Sequence, residues 1–146
     1  MLAIGDKAPL FSAPDQDNKE ISLQDFVGKW LVLYFYPKDD TPGCTTEACT
    51  IRDNFPALQK LAQVVGVSAD SVTSHKQFAQ KYHLPFSLLA DPEKNIITEY
   101  GAKGAIFNKR MTFIIDPKGI IAKIYPEVNP TQHAEEIIRD LQTLTK

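Results

Sequence analysis

Two cysteines, Cys44 and Cys49, are the only thiols in this chain of 146 residues. Cys44 follows Thr41-Pro42-Gly43, a few residues after the most apolar run of the sequence, residues 30–36. A continuous apolar run is typical of a strand buried on both faces. The Pro-Gly pair and the helical spacing that follows it predict that a helix begins near Cys44. A thiol in a first helical turn faces free backbone N–H groups and the positive end of the helix dipole, which favour the nucleophilic thiolate.

The spacing of the two cysteines limits how they can react with each other. Five residues along an α-helix correspond to a rise of about 7.5 Å and a rotation of about 140°, so the two Cα atoms would lie about 9 Å apart. A disulfide requires Cα atoms within about 7 Å. A Cys44–Cys49 disulfide is therefore expected only after the first helical turns unwind. Thr45 and Thr46, both poor helix formers, would make that unwinding easier.

Composition excludes several classes of function. The length is that of one domain, so we expect a single domain over residues 1–146. A net charge of -2 and the lack of a long basic tract argue against nucleic-acid binding. The apolar runs are too short to span a membrane, and no signal peptide is recognisable, so a cytoplasmic protein is expected. In a reducing compartment two cysteines are more often catalytic, redox-active or metal-binding than structural. No His/Cys spacing suits a zinc site, so no metal is expected. No cofactor is expected either.

Strand and helix patterns alternate along the chain. A turn at Asp17-Asn18 predicts a small N-terminal hairpin. Buried strands are predicted at 30–36 and 64–68, and a β-hairpin at 111–115 and 120–125. Helices are predicted over 43–61 with an interruption at Pro56, from Ser71 to before Pro85, over 91–100, and from an Asn129 cap with Pro130 at the first helical position. This order indicates an α/β fold with a central mixed sheet and helices on both faces.

Several segments together resemble the peroxiredoxin family. They are Pro37-x-x-x-Thr41-x-x-Cys44, Gly5-Asp6-Lys7-Ala8-Pro9, Arg110-Met111-Thr112-Phe113-Ile114-Ile115-Asp116 and His133-Ala134-Glu135-Glu136. Residues 41–49 are similar to the peroxiredoxin Q branch, also called bacterioferritin comigratory protein. The resemblance implies a thioredoxin-like fold and a thiol-dependent peroxidase that acts on hydrogen peroxide and organic hydroperoxides. It also implies a monomer that is recycled by thioredoxin or a similar dithiol protein.

The resemblance also assigns roles to individual residues. It implies that Cys44 is the peroxidatic cysteine, that Cys49 is the resolving cysteine with which Cys44 forms a disulfide, and that Pro37, Thr41 and Arg110 complete the site. Reduction of a peroxide requires a thiolate and donors that grip both oxygens as charge moves onto the leaving one.

The residue types suit these roles. The guanidinium of Arg110 offers five donors in a rigid fork. The Thr41 hydroxyl can orient a hydroperoxide, and the Pro37 ring can shield the thiolate from water. Glu47, one turn beyond Cys44, either compensates the helix dipole or anchors the guanidinium of Arg110.

Two other classes of function share some of these features. A thioredoxin-like disulfide oxidoreductase normally separates its cysteines by two residues, whereas this chain has four between them. A redox sensor would use the same thiol chemistry, but it has no need of Thr41 and Arg110. The sequence indicates a structural or solvated role for His75, His83 and His133.

Overall fold

Seven strands and five α-helices make up the computed structural model, which describes residues 1–146. In chain order they are β1 (Ser12–Pro14), β2 (Glu20–Ser22), a 3₁₀ helix (Leu23–Phe26), β3 (Leu31–Phe35), α1 (Pro42–Asp53), α2 (Phe55–Leu58), β4 (Gln63–Ser68), α3 (Val72–Tyr82), β5 (Ser87–Ala90), α4 (Asn95–Glu99), β6 (Met111–Ile115), β7 (Ile121–Tyr125) and α5 (His133–Leu144).

A five-stranded mixed sheet forms the centre of the fold, with the strands in the order β5-β4-β3-β6-β7. The central strand β3 runs parallel to β4 and antiparallel to β6. All five residues of β3 are buried, as its continuous apolar run predicts. The strands β1 and β2 pair separately as an antiparallel N-terminal hairpin. The thioredoxin-like α/β fold with this hairpin is therefore confirmed.

The two faces of the sheet are covered by different elements. Alternate residues of β3 point to opposite faces. Val32 and Tyr34 belong to a core shared with α1, α2, α3 and α5. Leu31 and Leu33 belong to a second core shared with the N-terminal hairpin and α4. Helices thus lie on both faces, with four α-helices on one and the short α4 and the 3₁₀ helix on the other.

Some predicted boundaries are wrong, and local hydrogen bonds explain why. The last helix begins at His133, not at Pro130. Asn129 instead organises a separate turn: its side chain accepts from the Thr131 N–H (3.1 Å), and its carbonyl accepts from the N–H groups of Gln132 and His133. Asn129 therefore closes a turn ahead of the helix, which starts three residues later than the predicted Pro130.

The short helix α4 also begins later than predicted, at Asn95 rather than near Asp91. The Asp91 carboxylate accepts from the N–H groups of Asn95 (3.0 Å) and Ile97 (2.8 Å), so it caps the helix from a distance. The strand β5 is not among the strands that the sequence predicts. Its signal was the short apolar stretch between Pro85 and Asp91, which is too brief for periodicity to identify. The interruption at Pro56 is confirmed, because α1 ends at Asp53 and α2 begins at Phe55.

The sheet topology brings three segments to one edge. The carboxyl ends of the parallel strands β3, β4 and β5 lie at the same edge. Because β6 is antiparallel to β3, its amino end lies there too, with Met111 opposite Phe35. The loop that leads to Cys44 and the residue that precedes β6, Arg110, therefore meet. None of the helices has the length and apolar character needed to cross a bilayer.

Candidate active site

Cys44 lies in the first turn of α1. The helix begins at Pro42 with Thr41 as its N-cap, and its first backbone bond runs from the Thr45 N–H to the Thr41 carbonyl (2.8 Å). The N–H groups of Gly43 and Cys44 come before that bond, so neither has a partner within the helix. They lie at the positive end of the helix dipole, which favours a negative charge on the sulfur. Cys44 is buried, with an exposed fraction of 2%.

Arg110 joins the cysteine to a carboxylate. Its Nη2 lies 3.4 Å from Cys44 Sγ, and its Nη1 donates to Glu47 Oε1 at 2.7 Å. One planar group thus holds both side chains, each with a different nitrogen of the fork. Both partners come from the same face of α1, since residues three apart on a helix are neighbours. Glu47 therefore contacts the guanidinium rather than solvent near the helix end.

The Glu47 carboxyl is fully buried, and this sets its electrostatics. Its side chain has no exposed surface, and Oε2 has no hydrogen-bond partner in the protein. Burial raises the pKa of Glu47 to about 7, although Arg110 lowers it in part. For Arg110, burial acts to lower the pKa, but Glu47 and Cys44 outweigh it and the pKa is raised. The guanidinium therefore carries its charge beside the sulfur throughout the physiological range.

A glycine next to Cys44 leaves room for this guanidinium. A Cβ atom on Gly43 would lie 2.9 Å from Arg110 Nη2. Such a distance is too short for a carbon–nitrogen contact, so any larger residue would displace the side chain. In the sequence, Gly43 indicates only the start of a helix, and this second requirement is not visible. The contact joins residues far apart in the chain, and no local pattern indicates it.

Thr41 and Pro37 belong to the loop that joins β3 to α1. The Thr41 Oγ1 donates to the Lys38 carbonyl at 2.8 Å, so its hydroxyl proton is engaged and its lone pairs are available to accept a hydrogen bond from a ligand. Thr41 is half-buried at the start of α1. Pro37 is also half-buried and lies two residues after the end of β3. The shielding role predicted for Pro37 stays a prediction.

Cys49 lies on the same continuous helix as Cys44, and both thiols are free. Cys49 is half-buried, whereas Cys44 is buried. Helical geometry places their Cα atoms about 9 Å apart, beyond the reach of a disulfide. The structure is therefore the reduced form, with the helical first turn that the sequence predicts for that form.

Two of the three histidines are deeply buried. His75 is fully buried and contacts Asp39, and His133 lies against Thr112 with its Nε2 2.7 Å from Thr112 Oγ1. His83 ends α3 in a left-handed conformation. The sequence does not predict the Asp39–His75 contact, because this contact joins the β3–α1 loop to a helix 36 residues away.

Comparison with known proteins agrees with the geometry of this site. Residues 4–124 match the model of the AhpC/TSA family. A protein from Coxiella burnetii named putative peroxiredoxin bcp is 44% identical over 94% of this chain and 97% of its own. The chain belongs to the AhpC/TSA family, in its peroxiredoxin Q and bcp branch. A chloroplastic peroxiredoxin Q from Populus jackii is also 44% identical, over 96% of this chain and 68% of its own length.

Solved structures of peroxiredoxins share the fold. A cysteine mutant of the Xylella fastidiosa PrxQ superposes with a TM-score of 0.93 at 30% identity, over 100% of this chain and 99% of its own. The Xanthomonas campestris bacterioferritin comigratory protein, whose alkyl peroxide reduction activity was studied in ligand complexes, gives 0.88 at 30% identity over 93% and 92% of the two chains. As a member of this family, the protein is a thiol-dependent peroxidase.

Proposed function

We propose that this peroxidase reduces hydrogen peroxide and organic hydroperoxides through a sulfenic acid on Cys44, which Cys49 then resolves as an intramolecular disulfide. The observation that carries the proposal is the arrangement of Arg110, with one nitrogen 3.4 Å from Cys44 Sγ and another bonded to Glu47. Glu47 is the anchor of the guanidinium in this proposal. The alkyl peroxide activity named for the Xanthomonas campestris relative supports organic hydroperoxides as substrates.

In the first step the Cys44 thiolate attacks the outer oxygen of the peroxide. A sulfur–oxygen bond forms and the O–O bond breaks, so sulfur is oxidised to sulfenic acid and the peroxide is reduced. The leaving oxygen takes a proton and departs as an alcohol, or as water when the substrate is hydrogen peroxide. Arg110 stabilises the negative charge as it moves to this oxygen. The Thr41 Oγ1 donates its own hydrogen bond to the Lys38 carbonyl, so it can accept a hydrogen bond from the hydroperoxide O–H. This hydrogen bond aligns the O–O bond with the sulfur.

In the second step the Cys49 sulfur attacks the sulfur of the sulfenic acid. The S–S bond forms, the S–O bond breaks, and the hydroxyl group leaves as water. Helix α1 must open before the two sulfurs can meet, since both cysteines lie on one intact helix. We propose that only the segment from about Thr41 to Cys49 opens. Amide hydrogen exchange on the oxidised protein would then show lost protection in this segment and retained protection in β3 and β6.

A dithiol protein such as thioredoxin completes the cycle by thiol–disulfide exchange, in which it becomes oxidised and Cys44 and Cys49 become thiols again. A disulfide in a segment that has lost its helix is exposed, which favours this exchange. The monomeric state and the cytoplasmic location stay predictions from the sequence, and the plant relative named above is chloroplastic.

Single substitutions of the two cysteines test the proposal. Cys44→Ser should abolish peroxidase activity, because a serine hydroxyl is not ionised at neutral pH and is a poor nucleophile. Cys49→Ser should consume one equivalent of peroxide and stop as a sulfenic acid on Cys44, which mass spectrometry with a sulfenic-acid trap would locate. A trapped sulfenic acid on Cys49 in the wild-type protein, or full turnover by Cys44→Ser with thioredoxin and its reductase, would reverse the assignment.

A further inference from the structure

A buried polar cluster connects the loop before Cys44 to helix α3. Asp39, two residues before Thr41, is 7% exposed and His75 is fully buried. Asp39 Oδ1 accepts from the Tyr36 hydroxyl at 2.6 Å, and Oδ2 accepts from Ser74 Oγ at 2.8 Å. The same Oδ2 lies 2.7 Å from His75 Nδ1. The Asp39 carboxyl therefore meets three groups, two of them on α3.

The backbone of the same loop is held by the segment that follows β4. The Asp39 N–H donates to Asp70 Oδ2 at 2.8 Å, and Ser68 Oγ donates to the same oxygen at 2.6 Å. Asp70 lies two residues after the end of β4, at the edge of the sheet where the active site lies. Both the main chain and the side chain of Asp39 are thus fixed to elements outside the loop.

The second contact of His75 determines how the pair is bonded. Its Nε2 lies 2.9 Å from the Leu89 carbonyl of β5, an acceptor, so Nε2 carries a proton. At Nδ1, either an imidazolium donates to the Asp39 carboxylate or the carboxylic acid donates to a neutral ring. Each arrangement makes the hydrogen bond. Removing one partner from such a buried pair is costly, because the polar group that stays behind loses its partner.

The neighbouring residue provides a contrast. Asp40 also contacts α3, through Lys81 Nζ and the Tyr82 hydroxyl, both at 2.8 Å. These groups are exposed, with side-chain exposed fractions of 58% for Lys81 and 44% for Asp40. Exposed ion pairs contribute little to stability, since they gain little over hydration. Asp39, not Asp40, is therefore the fixed point of the loop.

We propose that Asp39 and His75 form a positioning tether, which holds Thr41 in place for the peroxide step and confines the later unwinding to residues after Asp40. This inference rests on the proposed roles of Thr41 and of the Cys44–Cys49 disulfide. Thr41 lies two residues after Asp39. Its hydroxyl donates to the carbonyl of Lys38, the residue before Asp39. A displacement of Asp39 therefore reaches Thr41 directly.

Loss of the tether should change the rates of the two chemical steps in opposite directions. His75→Ala breaks it from the side of α3 without changing the loop. The peroxide step should then slow by about tenfold to a hundredfold, since misplacing an orienting group by about 1 Å costs that much. The disulfide step should become faster by about threefold, because the segment that must open is less restrained. A variant that was merely less stable would not show this opposite pair of changes.

Two further variants serve as controls. Lys81→Ala removes the exposed contact to the same loop from the same helix and should leave both rates within about twofold of wild type. Asp39→Asn keeps an oxygen for the Tyr36 hydroxyl and offers an N–H to a neutral His75 ring, so it should retain most of the peroxide rate. If His75→Ala does not fold, Ser74→Ala removes one of the two hydrogen-bond partners of Asp39 Oδ2 and should show the same opposite changes to a smaller extent.

The experiment uses the reduced full-length protein, mixed rapidly with hydrogen peroxide and quenched with a sulfenic-acid trap and a thiol-blocking reagent. Mass spectrometry at each time point gives the fractions of thiol, sulfenic acid and disulfide. The tether is supported if His75→Ala slows the loss of thiol and speeds the conversion to disulfide, with Lys81→Ala unchanged. It is wrong if the two variants behave alike or if both steps slow together. Absence of Cys44 oxidation in the wild-type protein would instead refute the proposed function.

Discussion

At the scale of single residues, the site depends on the two nitrogens that Arg110 uses for different partners. Nη1 bonds to Glu47 and Nη2 approaches Cys44. A charged donor beside the sulfur favours thiolate, and the same donor can follow the charge onto the leaving oxygen. The residue types, and their positions in the segments that resemble the peroxiredoxin family, predicted Cys44, Thr41 and Arg110 as site residues. The buried state of Glu47 could not be predicted, because a glutamate in a first helical turn is normally exposed.

Arg110→Lys should slow the peroxide step by about 10²–10³-fold, the loss found when one donor to a developing oxyanion is removed. A single ammonium can replace one nitrogen of the fork but cannot span both Glu47 and Cys44. Thr41→Val, which keeps the shape and removes the hydroxyl, should slow the same step. Rapid-quench rates of Cys44 oxidation measure both effects, with Lys109→Ala as the control because that neighbour is exposed. Wild-type rates in Arg110→Lys and Thr41→Val would remove both residues from the mechanism.

Glu47 should make the stability of the protein depend on pH. Its folded-state pKa of about 7 lies above the ordinary value of 4.5, so between these values the folded state binds more protons than the unfolded state. The free energy of unfolding should therefore fall as the pH rises through this range, by on the order of 3 kcal/mol at 1.36 kcal/mol per pKa unit. The favourable contribution is complete below about pH 4.5 and is lost above about pH 7.

Glu47→Gln cannot ionise, so this decrease should be smaller in the variant. Urea unfolding at pH 5 and pH 8 measures the difference, and Glu135→Gln on the exposed side of α5 is the matched control. Equal pH dependence in wild type and Glu47→Gln would show that the buried carboxyl is not the cause.

At the scale of elements, the proposed cycle requires α1 to be ordered in the peroxide step and open in the disulfide step. Its first turn presents Cys44, but the helix keeps Cys49 out of reach. The sequence predicted this conflict from the spacing of the cysteines and the threonines between them. The sequence also predicted the central strands, because their apolar runs are long. It missed β5 and the start of α5, where short-range hydrogen bonds and tertiary pairing decide the structure rather than periodicity.

Gly43→Ala should slow the peroxide step without lowering the stability of the protein. Alanine is the better helix former by about 1 kcal/mol, so the first turn should gain order. The new Cβ would lie 2.9 Å from Arg110 Nη2, the flexible end of a side chain, which can move aside at little cost. We expect an unchanged or higher urea midpoint together with a peroxide step slower by about tenfold or more, as the guanidinium leaves the sulfur. A variant with wild-type kinetics would show that the position of Nη2 is unimportant.

At the scale of the whole molecule, the sheet separates two cores and presents one edge for chemistry. The mixed topology puts the end of β3 and the start of β6 side by side, so that residues 66 positions apart meet at the sulfur. Strand order of this kind is not encoded locally. The sequence therefore predicted a mixed sheet and gave the Glu47–Arg110 contact as one of two alternatives, and the structure decides between them. Asp39 and His75 depend on the same edge, since their elements follow β3 and β4.

Gly66→Ala should destabilise the whole fold. Gly66 lies in β4 between Tyr34 of β3 and Leu88 of β5, its register partners. A Cβ there would lie 2.8 Å from Tyr34 Cζ and 3.0 Å from Leu88 Cδ2, and both side chains are buried. A ring held in a packed core cannot move aside as a guanidinium can. Overpacking of this kind costs about 1–3 kcal/mol, more than the fraction of a kcal/mol that alanine gains by restricting the unfolded chain.

The matched control for Gly66→Ala is Gly43→Ala. It is the same substitution, and its new Cβ would lie at a similar short distance from a neighbouring side chain, but that neighbour is the flexible end of Arg110. Urea unfolding should show a lower midpoint for Gly66→Ala alone, with the slope of the transition unchanged. An unchanged midpoint for Gly66→Ala would show that the Tyr34 ring is free to move, and that the close approach of β3 and β4 does not limit the stability of the sheet.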